Sequence, residues 1–381
     1  MIDFSEEESL FQQKVRRFAL ERLAPQSRRW DSGEELPRSF IEEFAKQDLM
    51  GLRVPEAHGG SDAPFSFLGI AAEEIGRGDS SFGSLVTVPG LLSAILHGAT
   101  PSLQERWYPA LASGKAVPSY AVTEPEVGTD AANLRTRAER DGDSWVISGE
   151  KSSISFAGLA DIAVVFARTG GSGARGVSCF LVPLNISGVS REVYSSPGDR
   201  VTKRGSLRFD NVRVPLDHLV GQPGEGFVQA ISTLDYNRAV LSLCQLGAAQ
   251  QSLDETVTYV RTRRAFGSPL AKFEGVSFQI VEDFTRIETA RLLCYQVLRR
   301  KDRGLPHARE AAMAKLVSMR AAFEVIHHCL LLHGHYGYNT NLPFELRLRN
   351  VMGMEIGAGT DEALKLTLAR DIIGKEAIPY R

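Results

Sequence analysis

The chain has 381 residues, of which 43% are hydrophobic and 24% charged, with a formal net charge of −2 and a pI near 6.5. This composition predicts a soluble globular protein, and a prior of roughly 150 residues per domain predicts two or three domains. Neither nucleic acid nor an anionic membrane is expected as a partner, because both require a basic surface.

The N-terminal segment MIDFSEEESL is acidic and lacks the pattern of a secretory signal. We see no run of 18 apolar residues, so no transmembrane helix is expected. The four cysteines are widely spaced and form no CxxC pair. That spacing is typical of buried thiols in a reducing compartment, so we expect a cytoplasmic protein.

Residues 1–117 are predicted to form an N-terminal helical domain. Ser5 and Glu8 have the spacing of a capping box, and apolar residues follow them with a helical period. A second helical stretch is predicted to end at Gly51, as glycine often ends a helix. Another helix is predicted at about 90–112.

Residues 118–225 are predicted to form a middle β domain. Short segments such as SWVISGE and VSCFLVPL are rich in β-branched and aromatic residues, and Asp141-Gly142 is a hairpin signal between two of them. Consecutive strands without helices favour an antiparallel barrel or sandwich. Residues 226–381 return to long helical patterns with apolar stripes, which predict a helical bundle.

General catalytic motifs are absent. GQPGEG lacks the Lys-Ser/Thr of a P-loop, and neither HExxH nor GxSxG occurs. Four histidines cluster at His327, His328, His333 and His335. Zinc would require them on one face with another ligand, so we predict structural roles or cofactor contacts, and no metal site.

Longer strings are more specific. YAVTEPEVGTD, WVISGEKSSIS, SLRFDNVRVP, GQPGEGF, YVRTRRAFGSPLAKFEGVSFQIVED and HGHYGYNT resemble the acyl-CoA dehydrogenase family in order and spacing. The resemblance implies an α+β fold with an N-terminal helical domain, a middle antiparallel β domain and a C-terminal four-helix bundle. It also implies an FAD-dependent oxidoreductase that acts on a CH–CH group of an acyl thioester, with the flavin between the β domain and the C-terminal helices.

The same resemblance implies which residues contact FAD. They are Tyr120, Val122, Thr123, Gly128, Thr129 and Ser155 at the flavin, Thr360 on the adenosine side, and Arg263, Phe266 and His335 reaching from a neighbouring subunit. Hydroxyl and N–H groups suit the flavin, and an arginine suits a pyrophosphate. The alternative for Arg263 is a solvated cation at a helix end. A shared cofactor implies a homo-oligomer, either a dimer or a tetramer.

In the family, a carboxylate removes the α-proton of the thioester while the flavin accepts the β-hydride, and the backbone N–H at the base position holds the thioester oxygen. This sequence departs from that pattern. Ala358 precedes Gly359-Thr360 where the family has glutamate, and Asn237 precedes Arg238 where a minority has glutamate. Neither side chain can accept a proton. Arg238 and the Ala358 backbone are still expected to contact the substrate.

Two acids are candidates for a relocated base. Glu355 would share a face with Ala358 if the helix continued, and Asp235 lies three residues before Arg238. For both, the alternative is a structural or surface acid. Ser153 stands where the family has a tryptophan near the docking place of an electron-transfer flavoprotein. Leu331 and His335 likewise replace a glutamine and a glycine that usually meet the adjacent FAD.

Three functions therefore stay open. The first is an FAD-dependent dehydrogenase of an acyl-CoA or acyl-carrier-protein thioester, with a relocated or absent base and an electron-acceptor flavoprotein as partner. The second is a flavin-dependent monooxygenase on the same fold, which needs no carboxylate at the thioester. The third is a non-redox FAD-binding protein, such as a lyase, an isomerase or a structural protein.

Overall fold

The N-terminal region is helical in the computed structural model, which describes residues 2–377. Its helices are α1 (Glu6–Phe18), α2 (Ser27–Asp31), α3 (Arg38–Ala45), α4 (Phe65–Asp79), α5 (Gly83–Leu96) and α6 (Pro101–Ala112). The predicted capping box is present, because Ser5 accepts the Glu8 N–H at 3.1 Å and Glu8 accepts the Ser5 N–H at 2.9 Å.

Two predicted helix limits are wrong. α3 ends at Ala45 rather than at Gly51, since Asp48 has a φ of +68°, which a right-handed helix cannot continue through. The stretch at 90–112 is two helices, because Thr100 before Pro101 is extended.

The middle region contains one eight-stranded sheet. Its strands are β1 (Pro118–Ala121), β2 (Arg137–Asp141), β3 (Ser144–Ile154), β4 (Ile162–Arg168), β5 (Val177–Pro183), β6 (Val189–Val193), β7 (Gly205–Pro215) and β8 (Leu219–Val220). The order is β6-β7-β3-β2-β4-β5-β8, with β1 beside β4. The predicted turn at Asp141-Gly142 joins β2 and β3. Most pairs are antiparallel, but β4 pairs in parallel with β1 and β2.

The C-terminal region packs long helices around α7. It comprises α7 (Gly226–Thr262), the short strands β9 (Arg264–Ala265) and β10 (Ser268–Pro269), α8 (Glu274–Asp302), α9 (Ala308–Leu332), α10 (Phe344–Ile356) and α11 (Asp361–Ile372). α7 packs against α8 and α9 and also against α4. At Gly247 a Cβ would lie only 1.9 Å from the Glu73 carbonyl oxygen, so glycine permits this close approach of α7 and α4. One cluster of buried apolar side chains runs through all three regions.

The segment Phe65–Leu96, which contains α4 and α5, is long and apolar enough to cross a membrane. Charged residues such as Glu73 and Arg77 interrupt it, so it contains no run of 18 apolar residues. In the structure, 94% of its most apolar window is buried inside the protein. It therefore forms part of the core.

Asp79, at the end of α4, lies where the three regions meet. Its Oδ1 accepts the Ser81 N–H at 2.9 Å, and Nδ2 of Asn350 on α10 approaches it at 3.5 Å. The same asparagine accepts the Asp199 N–H from the middle region at 2.7 Å. Burial raises the Asp79 pKa to about 6, and the carboxylates of Asp199 and Asp31 add to the increase.

Replacing Asp79 with Asn is expected to stabilise the protein at neutral pH. The folded-state pKa lies above the unfolded value, so the carboxyl group's contribution is present at low pH and is lost as the pH rises through about 6. Asparagine keeps the acceptor for Ser81 and carries no charge. The free energy of unfolding in urea should rise by about 2–3 kcal/mol at pH 7 and by less at pH 4. An equal change at both pH values would contradict this cause.

Candidate functional site

The turn that follows α10 is fixed through its carbonyl groups. α10 ends at Ile356, and Ala358 has a φ of +58°. Arg238 Nε on α7 donates to the Ala358 oxygen at 3.1 Å, and Lys315 Nζ on α9 donates to the Gly359 oxygen at 2.5 Å. Burial lowers the Lys315 pKa to about 8, and the neighbouring Arg238 contributes to the decrease. Two cations from different helices thus hold the backbone of this turn.

The Ala358 N–H remains without a hydrogen bond among residues 2–377. A free backbone donor on a rigid turn can hold a carbonyl oxygen and stabilise negative charge that develops on it. The turn therefore offers the oxyanion donor expected at this position, but no side chain that accepts a proton.

Asp235 is the carboxylate that the structure brings to this turn. Its Oδ1 lies 2.8 Å from Nη1 of Arg238, which in turn binds the Ala358 oxygen. Burial raises the Asp235 pKa, while Arg238 acts in the opposite direction. Asp235, Arg238 and Ala358 thus form one connected group, with the carboxylate already engaged in an ion pair.

Glu355 does not share a helical face with Ala358, so the geometric premise for this candidate base is wrong. α10 ends at Ile356, and Gly357 is extended with a ψ of 145°. The Glu355 carbonyl oxygen accepts a hydrogen bond from Lys315 at 3.2 Å. Burial raises the pKa of its carboxyl group.

Asn237 occupies the other base position and is 4% exposed. It lies one turn beyond Thr233 on the same face of α7, and Oγ1 of Thr233 is 2.7 Å from the Tyr120 hydroxyl on β1. Along α7, Asn237 therefore lies between Thr233, which contacts β1, and Arg238, which binds the Ala358 turn. It can form hydrogen bonds but has no useful proton affinity.

The loop after β1 is held by a buried ion pair. Lys151 Nζ on β3 lies 2.8 Å from the Glu124 carboxylate and also donates to the Val122 oxygen at 3.0 Å. Glu124 accepts the N–H groups of Arg135 at 2.6 Å and Thr136 at 2.9 Å. Burial lowers the Lys151 pKa to about 8. The sequence analysis missed this pair, although a lysine within the β3 pattern was a signal for it.

The outer side of this loop carries unpaired donors. The N–H groups of Gly128 and Thr129 and the hydroxyls of Thr123, Thr129 and Ser155 form no hydrogen bond within the described part of the chain. No atom lies within 4 Å of a Cβ built on Gly128, so a ligand can approach the backbone there. The Ser152 N–H donates to the Thr123 oxygen at 2.9 Å and joins β3 to the loop. This donor set fits a flat polar ring with a phosphate-bearing chain, which is the chemistry of FAD.

Two of the expected cofactor residues have hydroxyls that are already engaged. Tyr120 pairs with Thr233, and Thr360 caps α11 by accepting the Ala363 N–H at 3.4 Å. The Thr360 hydroxyl keeps its own hydrogen for a ligand. Ser153 is exposed beside the loop, with a φ of +59°.

The remaining expected cofactor residues lie at the far end of α7. The helix from Arg238 to its end at Thr262 is about 36 Å long at 1.5 Å per residue. Just beyond, Phe266 is 97% exposed, and the Arg263 guanidinium lies 5.9 Å from the Tyr336 ring centroid, next to the exposed His335. Within one chain, this exposed group therefore lies far from the Ala358 turn.

The clustered histidines have structural contacts. His333 is buried and stacks on Tyr259 at a centroid distance of 4.1 Å, and Nδ1 of His328 lies 2.9 Å from the buried Asp283 carboxylate. In the described residues, no group of three or more His, Cys, Asp or Glu side chains has the arrangement of a metal site.

Comparisons with known proteins agree with this architecture. Three family models match: acyl-CoA dehydrogenase N-terminal domain over residues 5–115, middle domain over 119–212 and C-terminal domain over 224–373. The bovine (Bos taurus) mitochondrial short-chain specific acyl-CoA dehydrogenase is 35% identical over 376 residues, which cover 98% of this chain and 91% of that protein.

Two solved structures extend the likeness. A glutaryl-CoA dehydrogenase from Mycobacterium smegmatis in complex with FADH2 superposes with a TM-score of 0.93 at 28% identity, covering 99% of this chain and 97% of that one. The prolyl acyl carrier protein oxidase AnaB gives a TM-score of 0.92 at 25% identity, covering 97% and 100%. The fold class and the family predicted from the motifs are thus confirmed. The chain belongs to the acyl-CoA dehydrogenase family and is an acyl-thioester dehydrogenase-like oxidoreductase.

Proposed function

We propose that this protein binds FAD and oxidises the α and β carbons of an acyl thioester of CoA or an acyl carrier protein. It does so without a carboxylate at either family base position. The observation that carries the proposal is the Ala358 turn, where Arg238 and Lys315 bind the carbonyl oxygens and leave the Ala358 N–H free. FAD, when bound, supplies the hydride acceptor.

The chain's own residues then have distinct tasks. The donors at Thr123, Gly128, Thr129 and Ser155 hold the flavin. The Ala358 N–H holds the thioester oxygen, and because the turn is already rigid, this donor needs no rearrangement as negative charge develops. Asp235, paired with Arg238 at 2.8 Å, is the candidate acceptor of the α-proton. A substrate with an unusually acidic α-carbon would lessen the demand on that base.

A homo-oligomer is part of the proposal. Arg263 and Phe266 lie just beyond the end of α7, beside His335 in the turn after α9, and all three are too far from their own Ala358 turn to reach it. A second copy can bring them to a neighbouring FAD. α8 also exposes large apolar side chains at Phe278 and Val281, each 61% exposed. Exposed apolar stripes of this kind favour association, and a tetramer is typical of the family.

Anaerobic flavin reduction tests the proposal. We expect at least one member of a panel of acyl-CoA and acyl-carrier-protein thioesters to bleach the absorption of the FAD-loaded protein. A loaded protein that no thioester bleaches would contradict a dehydrogenase function. A purified protein that does not bind FAD would contradict the proposal and favour a non-oxidative binding or structural role.

A monooxygenase is the second candidate, and Ser153 favours it. This small exposed residue stands where the family has a tryptophan near the electron-acceptor docking place, and both base positions lack a carboxylate. A monooxygenase should consume oxygen when a reductase supplies reduced flavin, and consumption should rise with substrate. Oxygen use that is indifferent to added substrate would rule this candidate out.

A further inference from the structure

The Asn237 amide is buried and has no partner. The residue is 4% exposed, its Oδ1 is enclosed without a hydrogen bond, and its Nδ2, which is not enclosed, forms none with residues 2–377. An unsatisfied buried polar group is costly, and native proteins contain few. Such a group beside a binding site calls for a ligand that pairs with it.

The position of this amide identifies which part of a ligand it would meet. Its neighbour Arg238 binds the Ala358 oxygen at 3.1 Å, and Thr233, one turn earlier on the same face, contacts the Tyr120 hydroxyl at 2.7 Å. Asn237 therefore belongs to the stretch of α7 that contacts both the turn that would hold the thioester and β1, the strand before the loop expected to hold the flavin. The acyl carbons next to the thioester occupy this region in the proposed function.

A second polar group lies on the face of α5 that packs against α7. A Cβ on Gly83 would be 2.5 Å from Cys244 Sγ, and the Tyr236 hydroxyl donates to the Gly90 oxygen at 3.4 Å, so these two glycines mark the face of α5 that meets α7. Thr87 lies between them on that face, is 2% exposed, and its hydroxyl makes no hydrogen bond in the described chain. A plain hydrocarbon chain would leave such groups unpaired.

We infer that Asn237 determines substrate specificity by hydrogen-bonding a hydroxyl group on the acyl carbons next to the thioester. This inference rests on the proposed function. Since Oδ1 is enclosed, the ligand group meets Nδ2, whose N–H groups a hydroxyl oxygen can accept and an alkyl chain cannot. A position that carries the base in part of the family thus serves recognition here.

Binding to the FAD-loaded protein tests the inference, with the flavin absorbance change as the signal. The probes are butyryl-CoA, 2-hydroxybutyryl-CoA and 3-hydroxybutyryl-CoA. One hydroxybutyryl-CoA should bind at least about tenfold more tightly than butyryl-CoA, which corresponds to about 1.4 kcal/mol. In Asn237→Leu, which keeps the volume and removes the amide, that preference should disappear.

A stability measurement without ligand or cofactor separates recognition from structure. Asn237→Leu should not lower the melting temperature, because the amide has no partner to lose. The matched variant Asn350→Leu should lower it, since Asn350 binds the Asp199 N–H at 2.7 Å.

Equal binding of all three probes, an unchanged preference in Asn237→Leu, or a loss of stability as large as that of Asn350→Leu would overturn the inference. In each of these cases the proposed function can still stand. Loaded wild-type protein whose spectrum no thioester alters would overturn both.

Discussion

Replacing Ala358 with glutamate is expected to raise the rate of flavin reduction by short-chain acyl-CoA about 10²- to 10⁴-fold. The backbone of the turn is held by Arg238 and Lys315 through carbonyl oxygens, so the new side chain leaves the oxyanion donor in place. The φ of +58° is already adopted by a residue with a Cβ, so glutamate adds little backbone strain. Stopped-flow absorbance under anaerobic conditions measures the rate.

Ala358→Gln is the matched control. Glutamine has nearly the same size and shape as glutamate but does not accept a proton, so it should give no gain. A glutamate variant that retains full FAD and shows the rate of the glutamine variant would contradict the view that only the base is missing from this scaffold.

Replacing Lys151 with methionine is expected to lower the free energy of unfolding by about 3–5 kcal/mol. The substitution leaves the Glu124 carboxylate buried without its cation, since Lys151 is 0% exposed and Glu124 is 6% exposed. The loop after β1, which starts at Val122, should lose the ion pair that holds it. The protein should then lose FAD. Urea unfolding and the flavin content after gel filtration measure the two effects.

Two further variants complete this test. Glu124→Gln combined with Lys151→Met removes both charges and should recover part of the stability. Arg213→Met breaks an exposed ion pair with Asp141 and should change stability by no more than about 1 kcal/mol. A Lys151 variant that behaves like Arg213→Met would show that the buried pair does not support the loop.

Sequence patterns were sufficient for the family and for the order of helical, β and helical regions, because these depend on long motifs and local periodicity. Local signals such as the Ser5 cap and the Asp141-Gly142 turn were also readable. The Glu124–Lys151 pair was not, since the lysine within the β3 pattern shows only that a cation is placed in a strand, and its partner lies 27 positions away.

The end of α10 shows the same limit at the site. A helical pattern made Glu355 appear to share a face with Ala358, yet the helix ends at Ile356. The turn takes its shape from Arg238 and Lys315, which are distant in sequence.

The way Arg238 and Lys315 hold the Ala358 turn has an evolutionary consequence. Both cations contact main-chain oxygens, so the fold imposes little demand on which side chain occupies position 358. Some alanine codons differ from a glutamate codon by a single base. The proton acceptor can therefore be lost or regained by a single point mutation without an intermediate that fails to fold. A scaffold built this way lets a lineage exchange its reaction while it keeps its fold.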